Sequence, residues 1–242
     1  MKRITMIVAM KQEAAPLIEQ LGLTETSDIS PILPCKTFAG QYKNLSINLV
    51  INGSDPLLGV ENVGTQPATL AAHEALRNFA PDLVINAGTC GAFAEKGSKI
   101  GDVYIGERIR FFDRRIPLGG NYEAYGHGNY RCESAIELAE QLGLPTSTVC
   151  TGNSLDMSPT DEAILREEEI VNKEMEAAAI AWIASHYKTP LVAIKSVTDL
   201  MDSEHSTADE FAANLALASK NLQEEVLRLL DLLALQSDTA AA

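Results

Sequence analysis

Short apolar runs alternate with amphipathic helical segments along the whole chain, and that alternation predicts an α/β protein: a β-sheet flanked by helices. A candidate hairpin (37–39 with 45–51) and a long strand-like run (102–112) add antiparallel strands, so the central sheet is expected to be mixed. No repeat, low-complexity tract or linker divides the 242 residues. One domain is expected over 1–235, with a frayed tail at 236–242.

The first strand is expected at 4–10 (ITMIVAM). Lys2 and Arg3 ahead of it imitate a secretion signal, but Lys11, Gln12 and Glu13 end the apolar run too early for one. A helix follows, with Ala14, Leu17, Ile18 and Leu21 on one face. After the hairpin, 65–79 has helical spacing, and Pro81 and Asp82 restart the chain into a strand at 83–86. The run 102–112 is strand-like, 119–128 (GGNYEAYGHG) is a long candidate loop, and 134–142 is helical. Short strands are expected at 148–150 and 169–171, and a small-residue-rich helix at 176–187. Pro190 leads into a strand at 191–194, and a last long helix spans 207–235 with Phe211, Leu215, Leu222, Val226, Leu229 and Leu233 along one face.

Composition narrows the function. Acidic residues number 33 against 19 basic, a formal net charge of -14. A surface of that sign repels phosphate backbones and anionic lipid, so neither nucleic acid nor membrane is an expected partner. No apolar run is long enough to cross a bilayer. Cys35, Cys90, Cys132 and Cys150 form no CxxC and no zinc pattern with the four histidines. Reduced, mostly buried thiols and a cytoplasmic location are expected.

Phosphate-binding and dinucleotide fingerprints (GxxxxGK[ST], GxGxxG) and a GxSxG elbow are missing. An acidic or hydroxyl side chain recurs instead just beyond the ends of apolar strands, where open α/β sheets bind ligands. Glu13, Thr89, Asp156, Glu176 and Asp199 occupy such positions, and Gly88 and Gly91 flank Thr89. Each has a plainer explanation as well, since acidic residues at helix starts are stabilised by free backbone N–H groups and the helix dipole. Taken singly, Glu174 suits a solvated or capping role, Glu167–Glu169 a surface charge run, and Met10 and Met175 the core. Lys195, ending an otherwise apolar strand, needs a partner if buried. These residues alone leave an α/β domain with a carboxylate-rich site.

The ordered set of segments is more specific. IVAMKQEA (7–14), NAGTCG (86–91), FDRRIP (112–117), TGNSLDMS (151–158), EME (174–176), KSVTDL (195–200) and TADEF (207–211) together resemble the 5′-methylthioadenosine/S-adenosylhomocysteine nucleosidases of the nucleoside phosphorylase superfamily, and most closely their plant-type branch. The likeness runs from residue 7 to about residue 222. It implies a nucleoside phosphorylase-like fold and hydrolysis of the N-glycosidic bond of methylthioadenosine to adenine and methylthioribose. By matching motif, Asp199 would protonate adenine and Glu13 would activate water. Glu176 would hold the ribose hydroxyls with Met175 beside the sugar, and Thr89 and Lys195 would lie near water and sugar. The backbone around Leu155 and Asp156 would recognise adenine, with Gly91 lining the base pocket. Met10, Lys173, Glu174 and Thr198 complete the implied substrate-binding set. No metal or organic cofactor is implied. The family is commonly homodimeric, which makes 111–130 a candidate contact.

Three positions depart from the wider family pattern. Lysine replaces the bacterial arginine at Lys195, Asn153 stands where aspartate is expected, and Ala208 replaces a phenylalanine that faces the alkylthio group. The last favours methylthioadenosine over S-adenosylhomocysteine. Three other functions remain open at this point. A phosphate-dependent nucleoside phosphorylase is disfavoured by the carboxylate of Glu13 where a dianion would sit. The others are a nucleosidase for another 5′-substituted adenosine and a non-catalytic nucleoside-binding protein.

Overall fold

The computed structural model describes residues 2–132 and 134–239. In chain order the elements are β1 (Lys2–Val8), α1 (Lys11–Gln20), β2 (Thr24–Glu25), β3 (Lys36–Tyr42), β4 (Leu45–Ile51), α2 (Thr65–Phe79) and β5 (Leu83–Ala92). Then come β6 (Val103–Phe111), α3 (Asn121–His127), β7 (Tyr130–Arg131), α4 (Ala135–Leu142), β8 (Thr146–Thr151) and α5 (Pro159–Arg166). The chain finishes with β9 (Val171–Glu174), α6 (Ala177–Tyr187), β10 (Leu191–Leu200) and α7 (Thr207–Thr239). The tail expected to fray at 236 is helical as far as Thr239. Residues 240–242 lie outside the described residues.

The sheet is mixed, in the order β10-β6-β8-β9-β5-β1-β4-β3-β2, with β7 on β6. Strand β10 also pairs with β5, so β10, β6, β8, β9 and β5 close a ring, and β1, β4, β3 and β2 extend from it as an open wing. The β3–β4 hairpin and the β10–β6 pair are antiparallel, as the hairpin and the long 102–112 run predict, and β1 runs parallel to both β4 and β5.

Alternation along the central strands builds two cores. Ile4, Met6 and Val8 face one core with Leu17 of α1 and with Leu222, Val226 and Leu229 of α7. Ile7 faces the other, where Ala68, Ala71, Ala72 and Ala75 of α2 meet the alanines of α6. Such small residues bring helix backbones close to the sheet and to one another, and α2 and α6 pack together here.

Three expectations are corrected. Strands β5 and β10 continue through the polar stretches at which the sequence pattern ends them, to Ala92 and Leu200. A polar residue ends a strand only where its side chain must reach water. Inside the closed ring Lys195, Ser196, Thr198 and Asp199 all stay buried. The candidate loop at 119–128 holds the short helix α3. The charge run 167–169 is not wholly on the surface: Glu168 is buried and receives Arg108, Arg110 and Thr148 Oγ1. Helix α5 was unforeseen, although its signal is legible: Ser158 and Asp161 form a reciprocal capping box and Pro159 takes the first helical position.

Candidate active site

A cavity of about 210 Å³ opens at the carboxyl ends of β1, β5 and β10, where the ring meets the wing. It gathers residues from seven parts of the chain. Met10 and Glu13 come from the start of α1, and Thr89 and Gly91 from the end of β5. Leu155 comes from the loop after β8, Lys173 to Glu176 from β9 and its junction with α6, and Thr198 and Asp199 from β10. Of the sequence-predicted residues only Asp156 and Lys195 lie outside the lining: Asp156 is exposed on the same loop as Leu155, and Lys195 is buried behind Glu174. Ala9, Val63, Cys90 and Phe211 also line the cavity and were not singled out. Phe211 belongs to the TADEF segment, so its motif was the available signal. Val63 has none, because its loop is brought to the cavity only by the fold.

Glu13 is turned inward at the first turn of α1. Its Oε1 accepts from the Thr89 N–H and hydroxyl, both at 2.7 Å, and its Oε2 accepts from Met10 N–H at 3.2 Å. The last contact is the capping role expected for an acid at a helix start. The contacts to Thr89, on another strand, exceed what a cap requires. Burial pushes the Glu13 carboxyl above its ordinary value, opposed by these donors and by the charge of Lys195. Gly88 leaves the space between them open, since a Cβ there would lie 3.4 Å from Glu13 Oε1 and 3.5 Å from Lys195 Nζ.

Asp199 is held differently. The β5–β10 register shifts between Val197 and Asp199, so that Asp199 pairs with Gly91 while Thr198 and Asp199 are both buried. Bulges of this kind re-aim side chains near active sites. One hydroxyl donates to the carboxylate, Thr198 Oγ1 to Oδ1 at 2.8 Å. Burial raises the Asp199 carboxyl, with Thr198 and the Lys173 charge pulling it down and Glu210 adding to the rise. A helix-start cap, its plainer explanation, does not apply to a residue inside β10. Gly91 makes the position possible: a Cβ there would lie 2.5 Å from Asp199 Oδ2.

A third carboxyl lines the same cavity. Glu176 is buried, and its Oε1 accepts from Gly64 N–H at 2.7 Å. Burial first, then repulsion by Glu174, pushes its carboxyl up to about 7, against the attraction of Lys195. Glu174 is buried rather than solvated: Lys195 Nζ lies 2.9 Å from its Oε2, and the N–H groups of Glu176 and Ala177 donate to it at the start of α6. Burial works to lower the Lys195 ammonium, but Glu174, Glu176 and Glu13 hold it above its usual value. Lys173 Nζ donates to the carbonyls of Ser154 and Leu155 at 2.6 and 2.7 Å, which fixes the loop bearing Leu155. Burial lowers the Lys173 ammonium.

Asn153 fastens the same loop at its other end. Its Oδ1 accepts from the Thr65 N–H and hydroxyl, both at 2.9 Å, and its N–H donates to Asp113 Oδ2 at 2.8 Å. An acceptor oxygen is what this position uses, and asparagine supplies one as aspartate would. Gly64, just before α2, has φ +101°, and its N–H serves Glu176. Glu176 and the loop therefore share one anchor at residues 64–65. Ala208 is exposed and does not line the cavity.

The arrangement combines two buried carboxyls of unequal surroundings, a third near neutrality, and apolar walls from Met10, Val63, Met175 and Phe211. Such a site suits proton transfer to and from a neutral ligand with an apolar end and hydroxyl groups. Among the described residues, no cluster of three or more His, Cys, Asp or Glu side chains is disposed to hold a metal ion.

Residues 3–231 match the family model described as the phosphorylase superfamily. The chain is 41% identical over 223 residues to the 5′-methylthioadenosine nucleosidase of Arabidopsis thaliana, spanning 91% of this chain and 83% of that protein. It is 40% identical over 235 residues to the 5′-methylthioadenosine/S-adenosylhomocysteine nucleosidase of the same plant, spanning 96% and 91%. The solved apo structure of the Arabidopsis 5′-methylthioadenosine nucleosidase superposes with a TM-score of 0.92 at 39% identity, covering 96% of this chain and 95% of that one.

Proposed function

The chain belongs to the phosphorylase superfamily, and we propose that it is a hydrolytic member, cleaving 5′-methylthioadenosine to adenine and 5-methylthioribose. One observation carries the chemistry. Two buried carboxyls face one cavity, Glu13 held by three hydrogen bonds and facing Lys195, Asp199 held by a single hydroxyl. Donors and a facing cation favour the charged form, whereas burial with few donors favours the protonated one. Glu13 is therefore the group that takes a proton from water, and Asp199 the group that gives one to the departing adenine. Glycosidic bonds break through an oxocarbenium-like state, which this division of labour between two carboxylates serves. Glu176 accepts the ribose hydroxyls through Oε2, on which no donor is found among the described residues. The walls of Met10, Val63, Met175 and Phe211 receive the methylthio group.

Hydrolysis is favoured over phosphorolysis by the state of the cations. Lys195 is paired with Glu174 and Lys173 donates to two carbonyls, so a phosphate dianion would have to compete with these partners and with the Glu13 carboxylate. S-adenosylhomocysteine is the weaker substrate on the ground of the likeness to the plant 5′-methylthioadenosine nucleosidase, since Ala208 lies outside the cavity. The enzyme acts in the cytoplasm, in methionine salvage, in keeping with its four buried free thiols. It works as a homodimer: Leu118, Tyr122 and Tyr125 in 111–130 are exposed, as are Leu57, Leu58 and Val60 on the loop that brings Val63 to the cavity.

Chromatography of methylthioadenosine and S-adenosylhomocysteine incubations, with and without phosphate, tests the proposal. The expected result is phosphate-independent release of adenine, faster from methylthioadenosine. Release only with phosphate assigns the site to a phosphorylase, and binding without release assigns it to a nucleoside-binding protein. Light scattering that shows a fully active monomer removes the dimer.

A further inference from the structure

Glu174 lines the cavity, yet its carboxylate is already full. A carboxylate offers about four acceptor sites. Thr151 Oγ1 takes one oxygen, Glu176 N–H donates to Oε2 at 3.0 Å, and Ala177 N–H spans both oxygens at 3.1 and 2.8 Å. Lys195 Nζ completes the set at 2.9 Å. Thr151 Oγ1 in turn accepts from Ala178 N–H at 2.9 Å, so the first amides of α6 are all accounted for. Nothing on Glu174 is left for a sugar hydroxyl. Glu176, two residues on, is the reverse case: it lines the cavity with one oxygen on Gly64 N–H and no donor on the other among the described residues.

We propose that Glu174 and Lys195 form a positioning pair: Glu174 holds the lysine ammonium within the ring of strands, and together their opposite charges set the ionisation of Glu176 and hence the pH at which ribose is gripped. The proposal rests on the role given to Glu176 above. The charged groups that face Glu176 are Glu174 from β9, Lys195 from β10 and Glu13 from α1. Glu174 and Glu13 disfavour its negative charge, and Lys195 favours it. Neutralising the two members of the pair must therefore move Glu176 in opposite directions.

The test is the pH dependence of kcat/KM for methylthioadenosine in the wild type and in E174Q, E174D and K195M. The wild-type acid limb is expected near the value of about 7 at which Glu176 ionises. E174Q should move it down by about one unit or more, and K195M up by a similar amount, the scale set by one adjacent charge. E174D, which keeps the charge, should leave it near the wild-type position. A second readout needs no turnover. Because Glu176 is raised in the folded state, its contribution to stability is present below its unfolded value and lost as pH rises toward 7. The Tm of E174Q relative to wild type should therefore climb between about pH 5 and 7, and that of K195M should not. A limb that stays put in E174Q, with a Tm difference independent of pH, overturns the proposal and leaves Glu174 a helix cap. A raised KM with an unmoved limb overturns it in favour of a substrate contact. Should E174Q fail to fold, an unmoved limb in K195M overturns it equally. If the wild type releases no adenine, the proposed function fails, while the Tm comparison still decides the charge coupling.

Discussion

Two clusters of buried charge lie on neighbouring strands of the ring, and they are built on different plans. In the first, Glu168 stands between Arg108 and Arg110 of β6, one guanidinium on each oxygen, with Thr148 of β8 as a further donor. In the second, the cavity, Glu13 and Asp199 lean on N–H and O–H groups, and the buried ammonium is turned to Glu174 instead. A carboxylate committed to two guanidinium groups has its charge compensated on the spot. Where neutral donors and an ammonium engaged elsewhere are the only counterweight, burial prevails, and Glu13, Glu176 and Asp199 are all raised. Burial alone thus does not mark a functional acid. Burial without a dedicated cation is what Glu13, Glu176 and Asp199 share, and this is the physical sense in which the cavity differs from a structural ion pair.

The comparison breaks most visibly at the acids themselves. Asp199→Ala or Glu13→Ala should lower adenine release by about 100- to 10,000-fold, the usual worth of a positioned acid or base, with an unchanged circular-dichroism spectrum. Near-wild-type kcat in a folded variant would remove that residue from the chemistry. The alkaline side of the rate profile sharpens the same point. Since Asp199 is raised and in the proposed reaction must carry its proton, kcat should decline as pH climbs past that raised value, and its proton survives to higher pH than an ordinary aspartate's. An alkaline limb unchanged in the residual activity of Asp199→Asn would assign it to another group.

Gly91→Ala is the next largest. Its Cβ meets Asp199 Oδ2, so turnover should fall about 10-fold or more, while overpacking costs about 1–3 kcal/mol in urea unfolding. A variant of full activity would show that the β5–β10 approach yields freely. Glu168→Gln works in the opposite sense. It strands two guanidinium groups, and about 2–3 kcal/mol of stability should go, less than for a fully buried pair because Arg108 is 36% exposed. Turnover per folded molecule should stay within about twofold of wild type, and a large loss would erase the distinction between the two clusters. Smallest is Asn153→Ala, which removes the acceptor at the start of α2. About 1 kcal/mol of stability and a few-fold rise in KM are expected, with Asn153→Asp restoring both. A change in kcat with KM untouched would contradict the view of Asn153 as a loop fastener.

How much of this was legible in the chain differs from residue to residue. Helix α2 was bounded correctly by its spacing, and the β3–β4 hairpin and the antiparallel pairing of β6 with β10 followed from apolar runs. Those elements are local: periodicity and a turn suffice to specify them. Glu13, Asp199, Glu176 and Thr89 were found because each follows or ends an apolar run in a recognisable motif, and all four line the cavity. Val63 and Ala9 were not, for they are ordinary apolar residues whose place depends on which strands become neighbours. Glu168 was misread for the same reason, since its two arginines are 60 and 58 residues away.

The sequence by itself determined the alternating α/β architecture, the mixed sheet and the set of carboxylates available for chemistry, because hydrophobic period and motif are carried by adjacent residues. Only the tertiary structure decided which of those carboxylates would be answered by cations. Closure of β10 onto β5 buries Asp199 against Gly91 and sends Lys195 to Glu174. Ionisation in a protein interior depends on the donors and charges within a few ångströms, and chain folding, not chain order, chooses those.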